Sequence, residues 1–177
     1  MIASERTLSQ RLAKLRESFD HAFADPPPSP PPPTEDLLAL TLGGHPHAIR
    51  ARELRGLYVD RLVTPLPSPL VELVGLAAIR GELVAVYDLA RLLGYEQPEA
   101  PRCLLLSTRR ALAFAVDGVT GQLRVPLDAL AERPAGNEPW LRQVMRDGPI
   151  NRSIIELAAV CSLIEERVGA QSLEENS

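Results

Sequence analysis

The chain has 177 residues, of which 45% are hydrophobic and 24% charged, so it can bury a core and has a globular composition. Its formal net charge of −4 argues against nucleic acid or an anionic membrane as partner, because both are bound through clustered Lys and Arg. No apolar run approaches the roughly 20 residues of a transmembrane helix, and charges interrupt the N-terminal apolar positions. We therefore expect no nucleic-acid partner, no signal peptide, no direct membrane insertion and a cytoplasmic location.

Residues 1–25 predict an amphipathic helical arm. Five large apolar residues recur at spacings of three and four, which places them on one face of a helix. They are Leu8, Leu12, Leu15, Phe19 and Phe23. Because an isolated helix gains most of its stability by packing, this stripe needs a partner. It either folds back onto the main domain as core, or pairs with itself or docks on another protein, and the sequence leaves both alternatives open.

A proline-rich linker, residues 26–36, separates the arm from the rest of the chain. The run "DPPPSPPPP" favours the extended polyproline II conformation, since each proline fixes its own φ and has no backbone N–H to donate. The main domain is expected at residues 37–168. The acidic residues 169–177 are expected to form a disordered tail.

The main domain begins with short strands. "LLALTL" and "HAIRA" flank the turn signal "GGHP" and predict a hairpin. The following "LRGLYVDRLVTPLPSPLVELVG" contains three prolines and predicts an irregular surface connection.

The segment Gly75–Gly94, "GLAAIRGELVAVYDLARLLG", predicts a strand, a tight turn, a second strand and a short helix. The turn is placed at Arg80-Gly81, because glycine supplies the positive φ that a tight turn needs. Asp88 is expected to cap the helix and Gly94 to end it.

The second half of the chain repeats this pattern. "RCLLLSTRRALAFAVDGVTGQLRVP" predicts two strands joined at Thr108–Arg110 and a third strand that ends at Pro126. After a polar loop we expect a strand, a turn at Asp147–Pro149, a strand at Ser153–Leu157 and a terminal helix. Because "SIIELAAVCSLI" echoes "VAVYDLARLLG", two related β-rich halves are implied.

Residues typical of catalysis or metal binding do not form a recognisable pattern. The chain lacks a phosphate-binding glycine loop and a G-x-S-x-G elbow. His45 and His47 form the pair "HPH", which we interpret as an exposed turn rather than a metal site. Cys103 and Cys161 lie in apolar sequence and are expected to be buried, as suits a reducing compartment. The prediction is a protein without enzyme activity, cofactor or metal.

From about Leu37 to "CSLIEE" the sequence resembles the CheW family of chemotaxis coupling proteins. The resemblance rests on "ALTLGGHPHAI", "RLVTPLPSPLVELVGLAAIRGELVAVYDLARLLG" and "ALAFAVDGVTGQLRVP". It implies a mainly β fold of two five-stranded SH3-like barrels with short helices, here preceded by the amphipathic helix. It also implies an adaptor that links the tips of methyl-accepting chemoreceptors to the regulatory domain of a CheA-type histidine kinase. Other CheW-like proteins are a further class of partner.

The same resemblance indicates candidate partner-binding residues. Arg80, with Ile79 and Gly81, falls in a partner-binding region of the family, and a guanidinium suits bidentate contact with carboxylates or carbonyls. The alternative for Arg80 is an internal salt bridge to Asp88. Leu54 and Leu57 fall where family members line the groove that receives the receptor, and core packing explains them nearly as well. Asp88 and Asp117 also match family positions, and we interpret them as a cap and a turn residue.

Three positions depart from the family pattern. Ala78 replaces an asparagine, Ala85 a proline and Gly56 a glutamate. These departures favour a divergent coupling protein dedicated to one pathway. A second hypothesis is an antagonist or localisation factor that uses the arm to hold a kinase, a receptor or another dedicated partner. A third, less favoured hypothesis is a ligand-binding or nucleic-acid-binding barrel, or an enzyme on that fold.

Overall fold

The computed structural model describes Lys14 and residues 32–96, 102–134, 136, 138–147 and 150–174. The chain divides into two units, residues 1–32 and residues 33–177. In the first unit Lys14 is helical and exposed. The apolar stripe predicted for the arm and residues 25–31 of the proline run lie outside the described residues, whereas Pro32 and Pro33 are described and exposed.

The second unit is built mainly from strands. In chain order these are β1 (Thr34–Leu42), β2 (His45–Arg50), β3 (Leu54–Val59), β4 (Val63–Thr64), β5 (Leu73–Ile79), β6 (Glu82–Asp88), β7 (Cys103–Ser107), β8 (Leu112–Val116), β9 (Gly118–Pro126), β10 (Leu130–Glu132), β11 (Leu141–Asp147) and β12 (Ile150–Ile155). One sheet has the order β10-β11-β12-β2-β1-β9 and the other the order β3-β7-β8-β6-β5-β4. The predicted mainly β fold is confirmed. Each sheet has six strands, one more than expected for each barrel, and the short β4 and β10 lie at sheet edges.

Two α-helices follow strands of the two sheets. Helix α1 spans Leu89–Leu92 after β6, and helix α2 spans Leu157–Glu174 shortly after β12. The strand-to-helix similarity read from the sequence is therefore present in the structure. Helix α2 continues through residues 169–174, which were expected in a disordered tail, and β1 takes up residues 34–36, which were expected in the linker.

The two halves implied by the sequence are not consecutive in the chain. The hairpin β1–β2 joins the C-terminal strands, because β2 pairs in parallel with β12 and β1 pairs with β9. Strands β3 to β8 form the other sheet and are inserted between these parts. The similarity between the two sequence segments could not reveal that the first hairpin belongs to the C-terminal sheet. That arrangement depends on pairings between residues that lie far apart in the chain.

Three apolar clusters stabilise the second unit. The largest combines buried residues of both sheets and both helices, including Leu40, Ile49, Phe114, Leu89 and Val160. The second is confined to the sheet of β3–β8, and the third to the other sheet. Each sheet thus has a core of its own and shares a larger core with its neighbour, which is how two adjacent β units bury their facing surfaces.

The segment predicted as an irregular connection contains strand β3 and the short strand β4. Strand β3 pairs antiparallel with β7, and its register shifts between Leu54 and Gly56, which makes Arg55 the extra residue of a β-bulge. The bulge interrupts the alternation by which a strand is recognised in a sequence. This explains why the strand was not predicted.

A buried polar network ties three parts of the β1–β2 sheet and the start of α2 together. The Arg50 side chain is about one-tenth exposed and its Nε lies 3.3 Å from Oε2 of Glu35. It also donates to Gln143 on β11 and lies 3.7 Å from the carboxylate of Glu156, just before α2. Burial of a guanidinium is tolerated here because carboxylates and an amide compensate its charge.

Candidate partner-binding surface

The predicted turn between β5 and β6 is present, and its tip is exposed. Ile79 pairs with Glu82, so the loop consists of Arg80 and Gly81 alone. Both have positive φ, 53° at Arg80 and 82° at Gly81, as the type I′ hairpin turn requires. A Cβ on Gly81 would meet nothing within 4 Å, so this glycine is required by its backbone conformation and not by crowding. The turn places the Arg80 side chain at the outermost point of the hairpin.

Arg80 lies against an aromatic ring and not against a carboxylate. Its guanidinium carbon is 5.9 Å from the centre of the Tyr58 ring on β3, within the range of a cation–π interaction. The alternative salt bridge to Asp88 is not formed. Asp88 caps helix α1 instead, accepting a hydrogen bond from the Arg91 backbone N–H at 3.0 Å and pairing with the Arg91 side chain.

The cap explains the buried position of Asp88. Its side chain is almost fully buried, and burial raises the pKa of its carboxyl, while the bond from Arg91 opposes that shift. The cap predicted for Asp88 is thus confirmed, and Gly94 ends the helix with φ 81° as predicted. Asp117 lies between β8 and β9.

Ile79 is not part of the accessible surface. Its side chain is 2% exposed and belongs to the smaller core inside the β3–β8 sheet. The expectation that its side chain contacts a partner is corrected, because strand alternation turns Ile79 inward one residue before the turn. Its contribution is to anchor the hairpin that presents Arg80.

Leu54 and Leu57 share one face of β3 because of the bulge. Leu54 pairs with Ser107 and Leu57 with Leu105, two β7 residues that point to the same side of the sheet. Leu54 is partly buried against the large core, whereas 43% of Leu57 is exposed. Val59 continues the same face opposite Cys103 and is 53% exposed. We call Leu54, Leu57 and Val59 the β3 strip.

The β3 strip lies at the edge of the β3–β8 sheet, next to the large core that both sheets share. Among the described strands, β3 is hydrogen-bonded on one side only, to β7. The face it continues carries Leu105 and Cys103, which pack with residues of both sheets. An exposed apolar strip that extends a core to an open sheet edge is suited to an apolar partner. Leu54 and Leu57 thus lie on the face of the β3–β8 sheet opposite to Tyr58, and the structure does not bring them together with Arg80.

Two further residues, one on each face of β3, were not predicted from the sequence. Tyr58 contacts Arg80, and Val59 extends the strip. The only sequence signal for these two residues is the alternation along "LYV". The contact between Tyr58 and Arg80 joins residues far apart in the chain, so no local pattern indicates it.

The histidine pair was expected in an exposed turn, but it lies in strand β2. His45 is exposed, while His47 is 3% exposed and borders a cavity of about 220 Å³ with Tyr95, Arg133 and Glu138. Burial lowers the pKa of His47 to about 4. Within the described ranges no group of three or more His, Cys, Asp or Glu side chains is placed to hold a metal ion.

Both cysteines are buried and free, as expected. Burial raises the pKa of the Cys161 thiol, which disfavours the reactive thiolate. Among the described residues, no helix is both long enough and apolar enough to cross a membrane.

Comparison with known proteins adds two findings. The family model described as the CheW-like domain matches residues 36–165. The crystal structure of the scaffolding protein TtCheW from Thermoanaerobacter tengcongensis superposes with a TM-score of 0.65 at 13% sequence identity, covering 70% of this chain and 90% of that chain. No curated protein matches the sequence.

Proposed function

Because this chain belongs to the CheW-like domain family, we propose that it is a non-enzymatic adaptor that couples chemoreceptors to a CheA-type histidine kinase in a chemosensory array. A scaffold or adaptor role in chemotaxis is what the family supports. The finer assignment to a kinase regulatory domain and to receptor tips is our proposal. It places the protein in the cytoplasm, recruited to membrane-associated receptor arrays.

One observation carries the proposal. Arg80 is exposed at the tip of a two-residue turn, in a backbone conformation that disfavours a side chain, and it forms no ion pair with the described carboxylates. A cation kept at such a position against an aromatic ring, with no carboxylate partner among the described residues, is suited to a carboxylate or carbonyl of another protein. On the opposite face of the same sheet, the β3 strip offers a separate apolar contact surface.

The test is a titration of the full chain against the regulatory domain of the CheA-type kinase from the same genome. Arg80→Glu is expected to weaken binding by about tenfold or more, since it reverses a charge at the interface. Arg80→Asn should also weaken binding while it preserves the turn, because asparagine adopts positive φ readily.

Arg124→Glu serves as the matched control. Arg124 is an exposed arginine on β9 of the other sheet, where it pairs with Asp36 at 2.8 Å. Its reversal should leave the affinity within about twofold of the original. Equal affinity of the Arg80 and Arg124 variants would contradict the assignment of Arg80.

The alternative function is that of an antagonist or localisation factor, which holds a kinase, receptor or dedicated partner through the helical arm. The predicted apolar stripe of the arm favours it, namely Leu8, Leu12, Leu15, Phe19 and Phe23. A reconstituted kinase assay separates the two. A coupler raises receptor-dependent autophosphorylation, and an antagonist lowers it.

A further inference from the structure

Two arginines gather around one tyrosine ring beside the β5–β6 hairpin. The guanidinium carbon of Arg61 lies 5.6 Å from the centre of the Tyr58 ring, and that of Arg80 lies 5.9 Å from it. Both distances fall within the roughly 6 Å of a cation–π contact. Tyr58 thus holds two cations that come from different parts of the chain, one just after β3 and one at the hairpin tip.

The Tyr58 ring is itself fixed by its surroundings. It packs on the smaller core of the β3–β8 sheet, and its hydroxyl is buried without a hydrogen-bond partner among the described residues. A Cβ at Gly56 would lie 3.1 Å from a ring carbon of Tyr58 and 3.2 Å from its hydroxyl oxygen. A side chain at position 56 would therefore crowd the ring, so the glycine gives Tyr58 the space in which it supports the two arginines.

The charges of this group are not neutralised within the described chain. Neither Arg61 nor Arg80 forms an ion pair with a described carboxylate. The nearest acid in sequence to Arg80, Glu82, lies 3.4 Å from Arg55 instead. Two guanidinium groups held against one ring repel each other, and carboxylates bound to them would relieve that repulsion.

We propose that Tyr58 holds Arg61 and Arg80 as a two-arginine site for the carboxylates of an acidic segment on the protein partner. Tyr58 acts as the positioning residue, and the arginines make the contact. The proposal rests on the proposed function for the identity of the partner and adds the chemistry that the partner must present. It also gives Gly56 a role that the family pattern does not predict.

The first test is independent of the kinase. The full chain, labelled with ¹⁵N, is titrated with a synthetic hexaglutamate peptide while the Nε–Hε signals of the arginine side chains are followed by NMR. Saturable shifts are expected at Arg61 and Arg80, with no such shifts when hexaglutamine replaces hexaglutamate. Added salt should reduce the shifts, because the contact is exposed. Absence of saturable shifts at both arginines would overturn the proposal.

Variants at Tyr58 distinguish positioning from packing. Tyr58→Phe keeps the ring and is expected to bind the peptide within about twofold of the original, whereas Tyr58→Leu should weaken binding by about tenfold. Full binding by Tyr58→Leu, or equal losses in both variants, would overturn the role of the ring. If thermal melting shows that Tyr58→Leu does not fold, Arg61→Ala and Arg80→Ala replace it, each with an expected loss of about tenfold.

The same variants are then titrated against the kinase regulatory domain, with Arg124→Ala as the control. A loss with Arg61→Ala and Tyr58→Leu but not with Arg124→Ala supports the site in the proposed complex. If Tyr58→Leu and Arg61→Ala leave kinase binding unchanged, the acidic-segment proposal is overturned and the adaptor function remains intact. Peptide binding without kinase binding would instead refute the kinase as partner and support the two-arginine site.

Discussion

Arg80 shows how one residue can be placed against its own backbone preference. A positive φ costs a non-glycine residue about 1 kcal/mol, and asparagine or glycine would fill this turn position at lower cost. Part of that cost is offset by the contact with Tyr58. Stability alone does not explain why a long, positively charged side chain occupies the tip of the turn. A carboxylate on another protein provides a reason.

His47 is expected to make stability depend on pH. The unfolded chain binds a proton at this histidine near pH 6.5, whereas burial lowers the folded pKa to about 4. Between these values the unfolded state holds more protons, so the free energy of unfolding falls as the pH falls from 6.5 towards 4 and is fully present above 6.5. The loss is up to about 3 kcal/mol. His47→Leu should flatten this dependence when thermal melting is followed from pH 4 to pH 7.

His45 provides the matched control for His47. It lies two residues away on the same strand and is exposed. His45→Leu is therefore expected to keep the pH dependence of the original protein. Other groups border the same cavity, among them Glu138, Arg133 and Tyr95. If both leucine variants kept the original pH dependence, the acid-sensitive group would lie elsewhere in the chain and the prediction for His47 would be wrong.

At the scale of elements, two ion pairs on adjacent β1 residues should differ in importance. Glu35 is about one-tenth exposed and pairs with Arg50, which also reaches Gln143 and Glu156. Asp36, the next residue, pairs with Arg124 on the surface. Arg50→Ala removes the buried contacts to Glu35 and Gln143, while Arg52 still pairs with Glu35 at 2.7 Å, so the free energy of unfolding should fall by about 2 kcal/mol.

The exposed pair serves as the comparison. Arg124→Ala should cost about 0.5 kcal/mol or less, since solvent screens its charge. Urea denaturation of both variants measures the difference. Similar costs for the two variants would show that the Arg50 network does not hold the sheet and helix α2 together.

Elements with local signals could be predicted from the sequence. The first hairpin followed from its glycine turn, and the β5–β6 hairpin, the Asp88 cap and the Gly94 stop followed from residues within one segment. Strand β3 was missed because its bulge at Arg55 breaks the alternation. The burial of His47 was missed because it depends on the parallel pairing of β2 with β12, about 100 residues further along the chain. The contact of Tyr58 with Arg61 and Arg80 depends likewise on three-dimensional packing.

At the scale of the whole molecule, chain connectivity links the two sheets. The first hairpin belongs to the sheet completed by the last strands, so that sheet cannot be completed before the end of the chain is available. Such pairings join residues that lie far apart in the chain, and proteins rich in them fold more slowly. The large shared core joins the inserted sheet to the rest of the domain.

The final prediction concerns the arm. Residues 33–177 form a unit that retains Pro33, whose carbonyl accepts a hydrogen bond from the Leu127 N–H at 3.0 Å. If the arm serves to dock on another molecule, deleting residues 1–32 should change the melting temperature by no more than about 2 °C, because no core is lost. Kinase binding should persist, since the proposed contact residues remain. A fall of roughly 5 °C or more would instead mean that the arm packs as core.

A full-length variant with charges in the apolar stripe tests the deletion result. It shows whether a property lost on deleting residues 1–32 depends on the apolar face or only on the presence of these residues. Leu12→Glu combined with Leu15→Glu places two charges on the predicted face without shortening the protein. Light scattering and partner titration should give the same result for this variant as for the deletion, because both remove the apolar stripe. A full-length variant that kept a property lost in the deletion would assign that property to the proline-rich linker, and the docking role of the stripe would be refuted.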